Sequence, residues 1–187
     1  SGEIHALMGE NGAGKSTLIK ALTGVYAIDS GSIHVGGKPV VFRTTSDAQA
    51  AGISTVYQEV NLCPNLSVGE NVMLGHETRR GGRIDWKAVH ERAAQHLESL
   101  GLQIDTRTML SSHSLAVQQL VAISRAMVLD ARVLILDEPT SSLDRGEVEQ
   151  LFGVIRELRS TGVAILFVSH FLEQVYEISD RVTVLRN

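Results

Sequence analysis

The nine residues Gly9-Glu10-Asn11-Gly12-Ala13-Gly14-Lys15-Ser16-Thr17 constrain this chain more than any other stretch. Their three glycines let the backbone curl so that successive N–H groups point into one concavity, a shape that suits an anion. Lys15 adds a cation beside it and Ser16 a hydroxyl. Such a loop works between a strand that delivers it and a helix that begins at its end, because the helix aims its positive dipole end at the same anion. Both neighbours are present. Ile4-His5-Ala6-Leu7-Met8 reads as a strand, Ser16 to Leu22 as a helix starting near Lys15, and Gly24 as its stop. The spacing is that of the phosphate-binding loop G-x-x-x-x-G-K-S, in which the lysine reaches β- and γ-phosphates and the hydroxyl faces Mg²⁺.

The chain has 187 residues, 43% of them hydrophobic, enough for one well-buried core. A net charge of −4 argues against a duplex DNA binder. One cysteine, Cys63, excludes an intrachain disulfide and a cysteine-based zinc site and suits a reducing compartment as a free structural thiol. No apolar run approaches the roughly 18 residues that a membrane span needs. The chain begins at Ser1 without Met, its first strand follows almost at once, and its last, Arg181 to Leu185, stops just short of the end. We therefore expect a domain excised from a longer protein.

Gly31 to Val35, Gly36-Gly37 and Pro39 to Phe42 read as a hairpin. Ile53 to Tyr57 reads as a buried strand, and Val133 to Leu136 and Val163 to Val168 are short apolar runs, as strands covered on both faces should be. Ser67-Val68-Gly69-Glu70 is a capping box that opens a short helix. Trp86, Val89, Ala93, Leu97 and Leu100 recur at helical spacing behind Asp85, with Trp86 expected to pack on the helix face and Gly101 to end it. Ser114 to Val128 reads as another helix, and Val148, Leu151, Phe152, Ile155 and Leu158 form a helical stripe. Strands alternating with helices imply a parallel, doubly wound α/β sheet. Residues 62–115 lack strand signals and read as a helical insertion within a single domain of residues 1–187.

Leu136-Asp137-Glu138-Pro139 follows an apolar strand. Ligands of a parallel sheet gather at the carboxyl ends of its strands, which brings Asp137 beside the phosphate loop as a carboxylate for Mg²⁺. Glu138 stands next to it, placed to take a proton from an attacking water. A base adjacent to the metal carboxylate suits hydrolysis better than transfer to a bulky acceptor. Gln58 follows the strand 53–57, where its amide is expected to ligate Mg²⁺ and orient the water. His170 follows the strand that ends at Val168-Ser169, within reach of a γ-phosphate.

Taken in order, Gly9–Thr17, Gln58, Ser114–Gln119, Asp137-Glu138, Ser141-Ser142-Leu143-Asp144 and His170 resemble the nucleotide-binding domain of ABC transporters across nearly the whole chain. The resemblance implies a P-loop NTPase core of the ABC type, mostly parallel sheet flanked by helices, with an antiparallel β hairpin region and a helical insertion. It implies ATP and Mg²⁺, and a head-to-tail dimer with two ATP molecules at its interface. Carried over by position, Gly9, Asn11, Gly12, Ala13, Gly14, Lys15, Ser16 and Thr17 would hold the nucleotide, and Ser16, Gln58 and Asp137 the metal. Glu138, His170 and Gln58 would carry the chemistry, Glu138 polarising water and His170 holding the γ-phosphate. Ser114 and Ala116 would meet the nucleotide across the dimer, with Asp144 in the loop that couples the two sites.

Three departures from the family pattern stand out. The signature, commonly L-S-G-G-Q, reads His113-Ser114-Leu115-Ala116-Val117, so Ala116 replaces a glycine; if its backbone needed φ > 0, the methyl would cost on the order of 1 kcal/mol. The aromatic that stacks on adenine in the family lies upstream of the first strand seen here, so weaker nucleotide binding is expected. The chain also ends before any second cassette.

Within the family, Glu3 to Thr17, Tyr57-Gln58-Glu59 and Gly82-Arg83-Ile84-Asp85-Trp86 resemble the first cassette of monosaccharide importers of the ribose, galactose and xylose class. That likeness implies transmembrane permease subunits, indirectly a sugar-binding protein, no nucleic acid, and a peripheral position on the cytoplasmic face of the inner membrane. It also implies that closure is transmitted through the segment after Gln58 and the helical insertion. A soluble ABC ATPase, a cassette with a degenerate regulatory site and a sugar kinase are the rival readings. The acidic balance speaks against the first. Glu138 and His170 oppose the second, though the altered signature favours it; Ser114 and Ser141–Asp144 oppose the third.

Overall fold

A computed structural model describes residues 2–58 and 61–186 of the chain. Its strands are β1 (Ile4–Gly9), β2 (Ile33–Val35), β3 (Lys38–Val40), β4 (Ile53–Val56), β5 (Arg79–Arg80), β6 (Arg83–Ile84), β7 (Val133–Asp137), β8 (Ala164–Val168) and β9 (Arg181–Leu185). Its helices are α1 (Lys15–Leu22), α2 (Thr45–Ala50), α3 (Val68–Met73), α4 (Trp86–Ser99), α5 (Leu115–Val128), α6 (Arg145–Ser160) and α7 (Leu172–Ile178).

Five strands form one sheet in the order β4-β7-β8-β1-β9, every neighbouring pair parallel. Successive residues of a strand point to opposite faces, and the two faces feed two separate clusters. Ile4, Ala6, Leu134, Leu136, Ile165 and Phe167 pack with α3, α4, α5, α6 and α7. Leu7, Ile135 and Val168 pack on the other face with Ile19 of α1, Ala48 of α2 and Phe42. The apolar β7 run is dry on both sides: Leu134, Ile135 and Leu136 are all 0% exposed. On the first face, Phe152 of α6 meets Phe167 edge-on, centroids 5.9 Å apart.

The 31–42 hairpin forms as expected, with β2 antiparallel to β3 around Gly36-Gly37. Gly24 ends α1 at φ +72°, and a Cβ there would lie 2.4 Å from the Thr44 carbonyl oxygen, so close approach of two loops requires the glycine. The capping box at Ser67 is complete: Ser67 Oγ accepts from the Glu70 N–H at 3.3 Å and the Glu70 carboxylate from the Ser67 N–H at 2.8 Å. Asn71, fully buried on the same helix, ties down the segment before it, accepting from the Cys63 N–H at 2.8 Å and donating to the Cys63 carbonyl at 2.9 Å.

Two expectations need correction, and one condition is resolved. The stretch 62–115 is not free of strand, because β5 pairs antiparallel with β6 around Gly81-Gly82; two-residue strands are too short to show a period. Trp86 is 49% exposed and stands outside the buried clusters. It occupies the first helical position, beyond the buried stripe that begins at Val89. The condition set for Ala116 is not met: it lies in the first turn of α5, not at positive φ, and is 3% exposed. Lesser differences are one-residue shifts at strand ends, Tyr57 and Val163 falling just outside β4 and β8.

Candidate active site

β1 ends at Gly9 and α1 begins at Lys15, so the loop between them lies at the carboxyl edge of the sheet beside the ends of β7 and β8. Gly12 and Gly14 take φ values of 87° and 95°, the left-handed region that aligns neighbouring amides. In most helices a side chain caps the first turn, as Thr44, Ser67 and Asp144 do here with capping boxes. Gly14 offers α1 none, and no acid stands in that helix's first turn. Its leading N–H groups are therefore left for an external anion. Lys15 is 8% exposed, and its ammonium donates to the Gly9 carbonyl at 2.6 Å and the Glu10 carbonyl at 3.2 Å.

A cavity of about 380 Å³ joins the loop to the second cluster: Glu10, Asn11, Gly12, Gly14, Lys15, Ser16, Thr17, Gln58, Asp137 and Glu138 line it. Asp137, half-buried, has its carboxyl pushed above the ordinary value of 3.8 by burial first and by the Glu138 charge second, against the pull of Lys15. A desolvated carboxylate of this kind gains from a cation. Among the described residues no three His, Cys, Asp or Glu side chains converge as a metal site. The donor set of one carboxylate, one hydroxyl and one amide fits Mg²⁺, which is held by few protein ligands and takes the rest from phosphate and water.

Glu138 has the left-handed φ of 48°, a conformation a glutamate adopts only when its surroundings impose it. Its N–H donates to the Val168 carbonyl at 2.9 Å, which fixes the turn to the end of β8. Glu138 Oε1 lies 3.1 Å from His170 Nδ1. His170 stacks on Phe171 with ring centroids 4.1 Å apart.

The fold thus assembles Asn11, Gly12, Gly14, Lys15, Ser16, Thr17, Gln58, Asp137 and Glu138 around one space, with His170 attached through Glu138. Gly9 and Ala13 shape the loop without lining the cavity: the Gly9 carbonyl takes the lysine and the Ala13 N–H donates to the Glu10 carbonyl at 3.1 Å. Ser114, Ala116 and Asp144 do not line it. Ser114 caps α5, its Oγ accepting from the Val117 N–H at 3.4 Å, and Asp144 caps α6, accepting from the Glu147 N–H at 2.9 Å. Sequence reasoning left out Glu10, a variable position of the loop pattern that carries no signal of its own. Glu59, beside Gln58, lies outside the described residues.

A second cavity, about 430 Å³, is lined by Thr23, Gln49, Tyr57, Asn61, His76 and Arg125 among others. It has no glycine-rich amide nest and no acid pair, and it borders the segment on both sides of Gln58.

Residues 1–141 match the family model described as ABC transporter. Over all of its length the chain is 70% identical to the fructose import ATP-binding protein of Bifidobacterium longum, of which it covers 36%. It is 56% identical to the galactofuranose transporter ATP-binding protein of Escherichia coli, covering 37% of it. A ribose import ATP-binding protein of Rubrobacter xylanophilus is 50% identical and 37% covered. The chain therefore spans little more than a third of the length of these curated relatives. Among solved structures, the ADP conformation of an ATP-binding cassette superposes with a TM-score of 0.85 at 26% identity, over 98% of this chain and 76% of that one. A subunit of an ABC transporter complex from Clostridium perfringens gives 0.83 at 27% identity, over 99% and 74%.

Proposed function

We propose, from the premise that this chain belongs to the ABC transporter family, that it binds ATP with Mg²⁺, hydrolyses it and powers import of a monosaccharide through a partner permease. One observation carries the reading: a single cavity is lined both by the phosphate loop and by the Asp137-Glu138 pair.

In this reading the loop amides and the start of α1 bind the phosphate tail. Lys15 leaves the Gly9 and Glu10 carbonyls for the β- and γ-phosphates. Ser16, Gln58 and Asp137 hold Mg²⁺, which neutralises phosphate charge when bound. Glu138 takes the proton of the attacking water, and His170 orients Glu138 and meets the γ-phosphate. Positioning and charge stabilisation, with no covalent intermediate, supply the rate. Ser114, the backbone at Ala116 and Asp144 face a second cassette in a head-to-tail dimer, which accounts for their standing apart from this cavity.

Sugar import comes to this chain from its relatives, whose names specify fructose, galactofuranose and ribose. Among the described residues no helix is long and apolar enough to cross a membrane, so the path for the sugar belongs to the permease. The cavity between α2, β4 and α5, which borders Tyr57 and Asn61, is the face we assign to that partner. Residues 62–115 would move with it as the helical insertion.

The test is uptake of labelled fructose, ribose and galactofuranose by vesicles carrying the full-length protein with its permease. Uptake that needs ATP and stops on Glu138→Gln supports the proposal. ATP hydrolysis that no sugar and no membrane partner alters would sink the transport part.

A further inference from the structure

We propose that Thr140 and Gln174 are positioning residues that brace Glu138 against His170 during ATP cleavage, a role that rests on the reading of Glu138 given above. Thr140 is 3% exposed, and its hydroxyl donates to Gln174 Oε1 at 2.5 Å. The bond joins two segments far apart in sequence. One carries Glu138 at the end of β7; the other carries His170 between β8 and α7.

The arrangement grips a short turn at both ends. Two residues before Thr140, the Glu138 N–H is held by the Val168 carbonyl at 2.9 Å. The residue between them is Pro139, whose ring locks φ and has no N–H of its own to bond. Glu138-Pro139-Thr140 is therefore a stiff link. Its two fastening points, Val168 and Gln174, lie on either side of His170 in the chain. Gln174 is itself fixed, because the neighbouring Val175 is 0% exposed and Ile178 5%, which seats α7 on the core. The same segment is tightened by the Phe171 N–H, which donates to Ser169 Oγ at 3.1 Å.

Geometry of this kind controls the pair that it encloses. Glu138 is held at φ 48°, a conformation from which an unbraced glutamate would relax. Relaxation would swing the carboxylate away from its place 3.1 Å from His170 Nδ1. Thr140 and Gln174 line no part of the cavity beside the phosphate loop, so they act through Glu138 and not on nucleotide.

The experiment measures ATP hydrolysis and ATP binding by the full-length protein. Thr140→Val keeps the shape and removes only the hydroxyl; Gln174→Leu removes the acceptor at a partly buried position of α7. Each should lower kcat roughly tenfold and leave KM for ATP within about twofold, the pattern of a displaced catalytic group. The double variant should be no slower than either single one, and Thr140→Ser should restore most of the rate. Losses that add independently, or kcat at the parent level in both single variants, would overturn the brace. So would a Thr140→Ser variant as slow as Thr140→Val, which would mark a packing effect. Glu138→Gln is run alongside. If it is inactive while the brace variants run normally, the brace fails and the reading of Glu138 stands. If it hydrolyses ATP at the parent rate, that reading fails first and the brace with it.

Discussion

The Glu138 carboxylate lies 3.1 Å from the imidazole Nδ1 of His170 because β7 and β8 are parallel neighbours in register. Asp137 stands opposite Val168, so the residues just beyond both strand ends meet at the same edge of the sheet. The glutamate side chain is 17% exposed and the histidine 52%, which places the acid inside and the imidazole at the rim. An imidazole N–H at Nδ1 that donates to the carboxylate fixes its orientation.

Glu138→Gln should retain ATP binding and cut turnover at least about a hundredfold, the usual loss for a general base. The amide keeps an oxygen for the His170 ring, so the site keeps its shape. Phosphate release and binding of a non-hydrolysable analogue measure the two effects separately. Unchanged turnover would remove Glu138 from this role.

Lys15→Ala should weaken nucleotide binding by at least roughly tenfold, given about 1.5–3 kcal/mol for a charge-assisted hydrogen bond. The ammonium is buried and already inside the loop, 2.6 Å from the Gly9 carbonyl. Titration calorimetry with ATP and Mg²⁺ reports it; full affinity in the variant contradicts the assignment of the loop.

Asp137→Asn should raise the melting temperature of the nucleotide-free protein near neutral pH. Burial holds this carboxyl above 3.8 in the folded state. The native state therefore binds the proton more tightly than the unfolded chain, and the ionised group lowers stability as pH rises from 3.8 through the folded value. Asparagine removes that penalty. The gain, about 2–4 °C per kcal/mol for a domain of this size, should shrink as pH falls below that window. Scans across pH without nucleotide measure it, and Mg²⁺-dependent ATP affinity should fall in the same variant. A lower melting temperature at neutral pH would refute the argument.

Ala116→Gly should destabilise the fold, although glycine is the commoner residue at this place in the family. The methyl is buried in the first turn of a helix at ordinary helical φ, so glycine adds backbone entropy, about 0.5–1 kcal/mol, and loses a buried methyl worth about 0.8 kcal/mol. The urea midpoint reports the sum. A rise in stability would show that the alanine is strained after all.

Local chemistry was readable without the structure. The loop Gly9–Thr17, the capping box at Ser67 and the glycine stop at Gly24 each depend on residues a few positions apart, and each took the expected form. The exposure of Trp86 and the backbone of Ala116 were not legible in the sequence, because each depends on where the end of a helix sits relative to packed neighbours, which spacing along one helix does not record. The β5–β6 pair escaped because two residues carry no period.

From sequence alone came the candidate groups of the site, since glycines, a lysine and an acid pair have intrinsic conformations and charges that travel with them. The tertiary structure alone decided that these groups share one space. The strand order β4-β7-β8-β1-β9 and the register of β7 with β8 arise from the summed packing of two apolar faces, a property of the whole sheet. Only that packing brings Glu138 to His170 and Thr140 to Gln174, because contacts between distant segments leave no mark in the local order of residues.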